Sequence, residues 1–337
     1  MRTAVEELFL RQVEEWPLLA AGVAALSGAR TRDVGGGGRG PLVRHIPHRA
    51  ASTTAKVDPA SIAKRPCFLC RENLFPEQRG IAFGDDWTLL CNPFPIVERH
   101  LTIVHREHRD QRIGGRLGAL LDLAAALEGH FVLYNGPRCG ASAPDHLHFQ
   151  AGALEELPVV PVADGAEGPA LDAWGARALL LRGARESVVS EAERALALLA
   201  GALPQEPEPW VNVVAWRAPD GGFVLLLYPR AKHRPEAFHR GELIVSPAAV
   251  DLSGLVVAPV ERDFERMADR YAAETLLLND ISPLTLGRAL ETIEADHERL
   301  QGKGEKKALT DYISTHPPTG ERIGELKAFM RERAARK

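Results

Sequence analysis

The sequence predicts an α+β fold in which helices pack against an antiparallel sheet. Short runs of β-forming residues alternate with turn signals over 81–83, 87–90 and 101–104. Leucines at helical spacing then cover 112–129, and a further strand is predicted at 131–134. Two apolar runs, 210–216 and 222–230, flank Asp220-Gly221-Gly222 and predict a β-hairpin.

Residues 1–34 are predicted to form an N-terminal helical segment, with one amphipathic helix or two over 3–28. The apolar run from Trp16 to Leu26 is interrupted by Pro17 and is shorter than the roughly 20 residues that a bilayer requires. Acidic residues precede it, which is not typical of a secretory signal. We therefore expect no membrane segment. Gly35-Gly36-Gly37-Gly38 predicts a flexible break after the helical segment.

The middle of the chain predicts the remaining elements. A turn is expected at 92–95, where Asn92 precedes two prolines. Residues 153–173 are rich in Pro, Gly and Asp and predict a long insertion, and 174–200 predict one long helix. Lys232, His233 and Arg234 follow the hairpin; they are either a solvated basic turn or groups that neutralise a phosphate.

Composition places the chain among globular proteins. Its 337 residues suffice for one large domain or two ordinary ones, and 45% hydrophobic and 26% charged residues are ordinary values. The net charge of −4 implies no general attraction to nucleic acid. Four cysteines do not make a disulfide scaffold, so a C-x-x-C pair indicates metal or redox chemistry in a reducing compartment. We expect a cytoplasmic protein.

The stretch His146-Leu147-His148-Phe149-Gln150 is the most informative one. On a strand, His146, His148 and Gln150 would share one face. The turn-rich residues before it, including Gly140-Ala141-Ser142, can present backbone N–H groups to a phosphate. A neutral imidazole aimed at that phosphate can act as a nucleophile. The alternative is a structural histidine pair or half of a metal site.

Residues 134–150 resemble the active-site strand of the histidine-triad superfamily, in its transferase and phosphorylase branch. That branch includes diadenosine tetraphosphate phosphorylase, GDP-L-galactose phosphorylase and galactose-1-phosphate uridylyltransferase. Its members carry glutamine where hydrolases of the superfamily usually carry a third histidine, and this chain has Gln150. A looser resemblance, to an uncharacterised bacterial family, extends over about residues 40–262. It implies two histidine-triad-like half-domains, the second of them degenerate.

The resemblance also implies catalytic roles. His148 matches the nucleophile that attacks the α-phosphorus, and the carbonyl of His146 would accept a hydrogen bond from its ring. Gln150 would donate to a phosphate oxygen.

Further residues are expected to bind the substrate. Ser142 and the amides near Gly140 would stabilise charge on the phosphate oxygens. The family counterpart of Asn92 lies near the ribose, and a basic arm before the cysteine pair implies that Arg49 or Lys56 meets phosphates, although a solvated loop is the alternative. The predicted substrate-binding residues are Asn92, Asn135, Gly140, Ala141, Ser142, Lys232 and Arg234.

Cys67-Phe68-Leu69-Cys70 has the spacing of a zinc half-site, and tetrahedral closure needs two more ligands. His100, His105, His108 and His146 are the available partners. The resemblance to uridylyltransferases selects His108 and His146, and it implies that structural Zn²⁺ is bound by Cys67, Cys70, His108 and His146. The alternative is a reduced cysteine pair without metal.

The tail, residues 263–337, resembles the end of HtpX-like zinc metallopeptidases. Glu265, in Glu265-Arg266-Met267-Ala268-Asp269, would be the third zinc ligand in that family. The H-E-x-x-H motif that supplies the other two ligands and the general base is absent from this sequence, so we expect no peptidase activity. Helices are predicted at about 261–279, 283–300 and 318–336, with an exposed loop at 302–307.

These observations predict three parts: the helical segment 1–34, a nucleotidyltransferase or phosphorylase domain at 35–262, and the helical tail. The expected reaction splits a nucleotide sugar or dinucleotide through a nucleotidyl-histidine, with phosphate or a sugar phosphate as acceptor. Two alternatives remain open: a nucleotide-binding module without catalysis, and a metallopeptidase-derived scaffold.

Overall fold

The computed structural model describes residues 1–34, 40–53, 58–202, 205, 207–267 and 319–334. In chain order the strands are β1 (Thr31–Asp33), β2 (Leu42–His45), β3 (Gly80–Phe83), β4 (Trp87–Cys91), β5 (Leu101–His105), β6 (His130–Asn135), β7 (His148–Ala153), β8 (Ala170–Ala173), β9 (Ala176–Gly183), β10 (Val211–Arg217), β11 (Phe223–Pro229) and β12 (Leu255–Ala258). The helices are α1 (Arg2–Glu15), α2 (Pro17–Ser27), α3 (Ala50–Thr53), α4 (Pro59–Ile62), α5 (Leu117–Ala126), α6 (Val159–Asp164), α7 (Arg185–Ala202), α8 (Glu236–His239) and α9 (Ala249–Leu252), followed by helical residues 261–267 and a C-terminal helix, Thr319–Ala334.

Nine strands form one sheet in the order β3-β4-β5-β7-β6-β10-β11-β9-β8, and every neighbouring pair is antiparallel. The predicted α+β class with an antiparallel sheet is therefore confirmed. Helices α5 and α7 cover one face, where Leu120, Phe149 and Leu225 share a buried apolar cluster. A second cluster, on the opposite face, includes Leu133, Trp216 and Leu226.

The sheet repeats one arrangement on its two sides. The order β4-β5-β7-β6, with α5 between β5 and β6, is matched by β8-β9-β11-β10, with α7 between β9 and β10. The two halves meet where β6 pairs with β10, through facing pairs from Phe131–Trp216 to Asn135–Asn212. Side chains from both halves therefore converge at the end of β6.

The predicted strands at 81–83, 87–90, 101–104 and 131–134 and the hairpin about 220–222 are confirmed. The single helix predicted over 174–200 is wrong, because residues Ala176–Gly183 form β9 and the helix begins at Arg185. Strand β9 is covered on both faces, with Leu181 in one cluster and Leu180 in the other. A strand buried on both faces reads as an apolar run without alternation, which resembles a helix.

The predicted insertion at 153–173 contains α6 and the edge strand β8. The helix expected over 112–129 is the shorter α5. The N-terminal prediction of two helices over 3–28 holds, since Pro17 begins α2 directly after α1. No helix among the described residues is long and apolar enough to cross a membrane.

A second sheet, of three strands, brings the segment before β3 together with the segment after β11. Strand β2 pairs antiparallel with β1 and parallel with β12. Helical residues 261–267 continue beyond β12, and Phe264 packs against Val34 and Val43. The predicted C-terminal helix corresponds to Thr319–Ala334. The glycine run at 35–38, Lys56, the helix predicted at 283–300 and the loop at 302–307 lie outside the described residues, as does most of the helix predicted at 261–279.

Candidate active site and metal centre

Strand β7 presents the predicted nucleophile and its glutamine on one face. Phe149 and Ala151 belong to the cluster under the helices, so His148 and Gln150, which alternate with them, point to the opposite face. The strand begins at His148. His146 lies in the preceding loop, and its side chain turns towards the cysteine pair, so the prediction that all three residues line one strand face is wrong for His146.

The ring of His148 is held by a single backbone group. Its Nδ1 lies 2.8 Å from the carbonyl oxygen of His146, and the side chain is buried. Burial is the main cause that lowers the pKa of His148, to about 4. The imidazole is thus neutral near pH 7, with its proton on Nδ1 facing the carbonyl and the lone pair on Nε2. This is the contact that the sequence resemblance implied.

Gln150 is oriented by a buried histidine that the sequence analysis did not place in the active site. His100 Nε2 lies 2.9 Å from Gln150 Oε1, and His100 Nδ1 lies 3.4 Å from the backbone N–H of Ile96. These contacts fit the tautomer that accepts from Ile96 and donates to Gln150. Burial lowers the pKa of His100 to about 4, which keeps this tautomer neutral. The amide nitrogen of Gln150 is left as the donor on the side away from His100.

The loop between β6 and β7 carries Gly140, Ala141 and Ser142. Gly140 has φ of +101°, a conformation that favours glycine, and a Cβ there would lie 2.7 Å from the Cβ of Ala248. The backbone carbonyl of Ser142 accepts a hydrogen bond from Arg65, which also pairs with Asp145 at 3.2 Å. Asp145 therefore anchors the loop to Arg65.

A polar network from the second half supports this loop. The buried amide of Asn212 donates to Asn135 Oδ1 at 2.8 Å and to the carbonyl of Cys139 at 2.7 Å. Asn135 Oδ1 also accepts from the N–H of Ala249, so this oxygen of a predicted substrate-binding residue is engaged within the protein. Arg230 donates to Asn212 Oδ1 at 2.7 Å. Sequence reasoning missed Arg230 and Asn212.

The basic turn after β11 divides into inward and outward parts. Lys232 is exposed and its ammonium pairs with Glu236 at 3.4 Å. Arg234 donates to the carbonyl of Thr53 at 2.7 Å and to Ser246. His233 is bonded to Ser246 at 2.8 Å and lies beside Gly140. The guanidinium of Arg230 lies on the inner side of this turn, where it donates to the carbonyls of Lys232 and His233.

Two predicted residues lie at the other side of Gln150. Asn92 donates to the hydroxyl of Thr102 at 3.0 Å and accepts from the N–H of Phe94 at 2.9 Å, while Thr102 faces Gln150 across β5 and β7. Arg49 is half-buried close to His100 and Asp251, and desolvation lowers the pKa of its guanidinium. Both residues are therefore near neighbours of the Gln150–His100 pair.

The four predicted metal ligands form one cluster. The ligand atoms of Cys67, Cys70, His108 and His146 all lie within 4.8 Å of one another. Cys67 Sγ is 3.3 Å from His146 Nδ1, and Cys70 Sγ is 3.2 Å from His108 Nδ1. Such separations fit a tetrahedral ion with metal–sulfur distances of about 2.3 Å and metal–nitrogen distances of about 2.0 Å. This cluster can hold a metal ion.

The remaining contacts of the cluster suit metal binding. His146 Nε2 donates to the carbonyl of His105 at 2.7 Å, which leaves the lone pair of Nδ1 directed at the cysteines. Burial, followed by the neighbouring Cys67, raises the pKa of the Cys70 thiol to about 11. A bound divalent cation supplies the positive charge that thiolates require. The cluster would fix the backbone of His146, whose carbonyl holds His148.

Glu265, which the metallopeptidase resemblance offered as a zinc ligand, has a different environment. Its carboxylate is fully buried and pairs with Arg32 at 2.6 Å and with Arg30 at 3.4 Å. Arg30 also pairs with Glu261 and stacks on the ring of Phe264. Two guanidinium groups thus pair with the Glu265 carboxylate. Among the described residues, Cys67, Cys70, His108 and His146 form the only cluster of side chains that could hold a metal ion.

Sequence comparisons match two parts of the chain. A family model described as a domain of unknown function (DUF4922) matches residues 8–153, and the model for peptidase family M48 matches residues 222–330. No curated protein matches the sequence. The first match contains the whole metal-type cluster and the His148 strand, and the second contains Arg230 and Glu265.

Solved structures match most of the chain. The crystal structure of yeast Ap4A phosphorylase Apa2 superposes with a TM-score of 0.55 and 16% identity over 84% of this chain and 95% of that chain. The same yeast enzyme in complex with AMP gives a TM-score of 0.51 and 18% identity over 80% and 95% of the two chains. At this identity the likeness shows the fold. It confirms the resemblance to the phosphorylase branch that residues 134–150 predicted.

Proposed function

We propose that this chain is a nucleotidyltransferase of the phosphorylase type that uses His148 as its nucleophile. The observation that carries the proposal is geometric: the His146 carbonyl holds His148 Nδ1 at 2.8 Å on the sheet face that also carries Gln150. That contact leaves Nε2 for attack, and the loop that carries Gly140, Ala141 and Ser142 would supply backbone N–H groups to the phosphate. The fold shared with Ap4A phosphorylase Apa2 supports the same chemistry.

In the first step, Nε2 of His148 attacks the α-phosphorus of a nucleotide sugar or dinucleotide. A nitrogen–phosphorus bond forms as the bond to the leaving phosphate-bearing group breaks, and the proton stays on Nδ1, hydrogen-bonded to the His146 carbonyl. Phosphate or a sugar phosphate then attacks the same phosphorus, which breaks the nitrogen–phosphorus bond and restores the neutral imidazole. Gln150, with its oxygen bonded to His100, would donate its N–H to a phosphate oxygen.

The other site residues would have the roles expected from the sequence. Ser142 and the backbone at Gly140 and Ala141 would contact the phosphates, and Asn92 the ribose. Arg234 and Lys232 would lie at the outer end of the substrate, since their side chains are bonded to Thr53 and Glu236. The complex of the yeast phosphorylase with AMP makes an adenylyl group the first one to test.

We propose that the ion held by Cys67, Cys70, His108 and His146 is structural Zn²⁺. Two thiolates and two imidazoles at these separations form a donor set that zinc prefers, and no ligand position is left open for substrate. The role of the ion would be to fix the His146 backbone rather than to activate water.

The decisive experiment is to trap the covalent intermediate. The protein is incubated with α-³²P-labelled ATP, ADP-sugars, GDP-sugars and UDP-sugars, and acid-labile label on the protein is measured before and after addition of phosphate. We expect label that phosphate discharges. His148→Ala should bind nucleotide and remain unlabelled, whereas His239→Ala, which changes an exposed histidine in α8, should still be labelled. Binding without label in the wild type would favour the nucleotide-binding module instead.

A further inference from the structure

The backbone pairing of β6 and β7 stops short of the nucleophile. The facing pairs run from His130–Ala153 to Leu133–Gln150. In the same register, Asn135 would face His148, but this pair is not part of the ladder. The two strands therefore separate just where the loop carrying Gly140 leaves the sheet, and the backbone groups of His148 need other partners.

The side chain of Gln111 fills this gap. Gln111 is fully buried, and its Oε1 accepts a hydrogen bond from the N–H of His148 at 2.8 Å. Its Nε2 donates to the carbonyl of His148 at 3.0 Å and to the carbonyl of Asn135 at 2.9 Å. The side-chain amide of Gln111 thus replaces the backbone hydrogen bonds that would otherwise join the two strands at this position. The backbone of Gln111 also donates to Pro144, inside the loop.

We propose that Gln111 is a positioning residue for His148, an inference that rests on the proposed function. Its amide satisfies both backbone groups of His148 while it keeps β6 and β7 apart, so the loop can open without loss of register. The position of the His148 backbone then sets where the ring can point. A misplacement of about 1 Å between reacting groups can lower a rate about 100-fold.

A matched control exists elsewhere in the chain. Gln12 in α1 is also fully buried, and its amide bonds the carbonyl of Glu77 at 3.0 Å and the N–H of Arg79 at 2.7 Å. Gln12→Met removes the same kind of backbone bridge as Gln111→Met, but away from β7. Both variants keep the side-chain size and should lose similar stability.

The test is the single-turnover rate of nucleotidyl transfer to the protein, per folded molecule, at saturating labelled nucleotide. We expect Gln111→Met to be slower than the wild type by about 100-fold, with a KM for the nucleotide changed less than roughly threefold. Gln12→Met should retain the wild-type rate. This split distinguishes positioning from a general loss of stability.

The outcomes separate the two proposals. A normal rate for folded Gln111→Met, or an equal loss in Gln12→Met, would overturn the inference and leave the proposed function intact. If the wild type is labelled by none of the nucleotides, the proposed function fails and the inference falls with it. Should Gln111→Met not fold, Gln111→Glu replaces it. That variant keeps an acceptor for the His148 N–H but lacks the amide donors, and a wild-type rate in it would equally overturn the inference.

Discussion

The two halves of the nine-stranded sheet share one strand order but differ at their central hairpins. In the second half, β10 and β11 are paired along their full length, up to Arg217 and Phe223, and a five-residue turn joins them. In the first half, the ladder between β6 and β7 ends at Leu133 and Gln150, and twelve residues connect the strands. The active-site candidates lie at the open hairpin.

The side chains at the two hairpins follow the same division. The residues of β11 that point away from the helices are Val224, Leu226 and Tyr228, and all three are buried in the second cluster. The corresponding face of β7 carries His148 and Gln150. The second half contributes to the site from a distance, because Asn212 and Arg230 brace the loop of the first half. The closed ladder joins β10 and β11 directly, whereas at the open one the side chain of Gln111 bridges β6 and β7 and the loop that carries Gly140 leaves the sheet.

The largest expected effect concerns the metal, whose ligands all belong to the first half. Cys67→Ser combined with Cys70→Ser should remove one equivalent of zinc per chain. At free zinc a thousand times above Kd the stability lost is about 4 kcal/mol. Elemental analysis and urea unfolding measure both. Cys91→Ala, which alters a buried thiol outside the cluster, should keep its zinc. Full zinc content in the double variant would contradict the assignment.

The next effect concerns the brace from the second half. Arg230→Met leaves Asn212 Oδ1 and the carbonyls of Lys232, His233 and Pro247 without their donor. We expect a loss of roughly 3 kcal/mol in unfolding free energy, together with weaker nucleotide binding, since the loop loses its support. Arg217→Met, at the closed hairpin, should cost less than about 1 kcal/mol. Equal losses in the two variants would contradict the proposed asymmetry.

The third expected effect is a loss of stability at acidic pH, which comes from His100 in the first half of the sheet. The pKa of His100 is about 4 in the folded protein, against an ordinary value of 6.5, so below pH 6.5 the unfolded chain binds a proton that the folded one does not. Stability should fall by about 2 kcal/mol between pH 7.5 and 5.0 from this group alone. His100→Gln keeps a donor for Gln150 and cannot titrate. Urea unfolding at both pH values should show a smaller fall in the variant, and identical falls would refute this.

The smallest effect compares two turn glycines. Gly140 and Gly221 both have positive φ, of +101° and +85°. A Cβ at Gly140 meets the Cβ of Ala248 at 2.7 Å, whereas at Gly221 the nearest atom is the flexible end of Arg217 at 3.5 Å. Gly221→Ala should therefore cost about 1 kcal/mol, and Gly140→Ala about 1 kcal/mol more. Thermal unfolding measures the difference. Equal costs would mean that the loop adapts freely.

Sequence reasoning reached furthest where the candidate residues are neighbours in sequence. The His148–Gln150 pair and the cysteine pair are short motifs, and the resemblance added His108 and His146, which the structure brings together with the cysteines. It failed where a role depends on pairing between remote segments. Gln111 bonds backbone groups that lie 24 and 37 residues away in sequence. Arg230 reaches the first half through Asn212, whose amide bonds the carbonyl of Cys139, 73 residues away, and no local pattern names such partners.

One missed residue did carry a signal. Asn212 is the single polar residue between Val211 and Trp216, in a strand with neighbours on both sides in the sheet. A buried amide in such a run needs hydrogen-bond partners, and the structure provides Asn135, Cys139 and Arg230. The sequence of β9 carried no such signal, because a strand that is covered on both faces shows no alternation of polar and apolar residues.

The ion pairs of Glu265 with Arg30 and Arg32 have a consequence for synthesis. Strand β1 and its partner β2 emerge from the ribosome early, yet β12 and Glu265, which complete their surroundings, follow more than 200 residues later. Contacts so far apart in sequence form slowly. The small sheet of β1, β2 and β12 is therefore expected to form late, after the nine-stranded sheet has folded. Until Glu265 has been synthesised, Arg30 and Arg32 remain without this carboxylate as a partner.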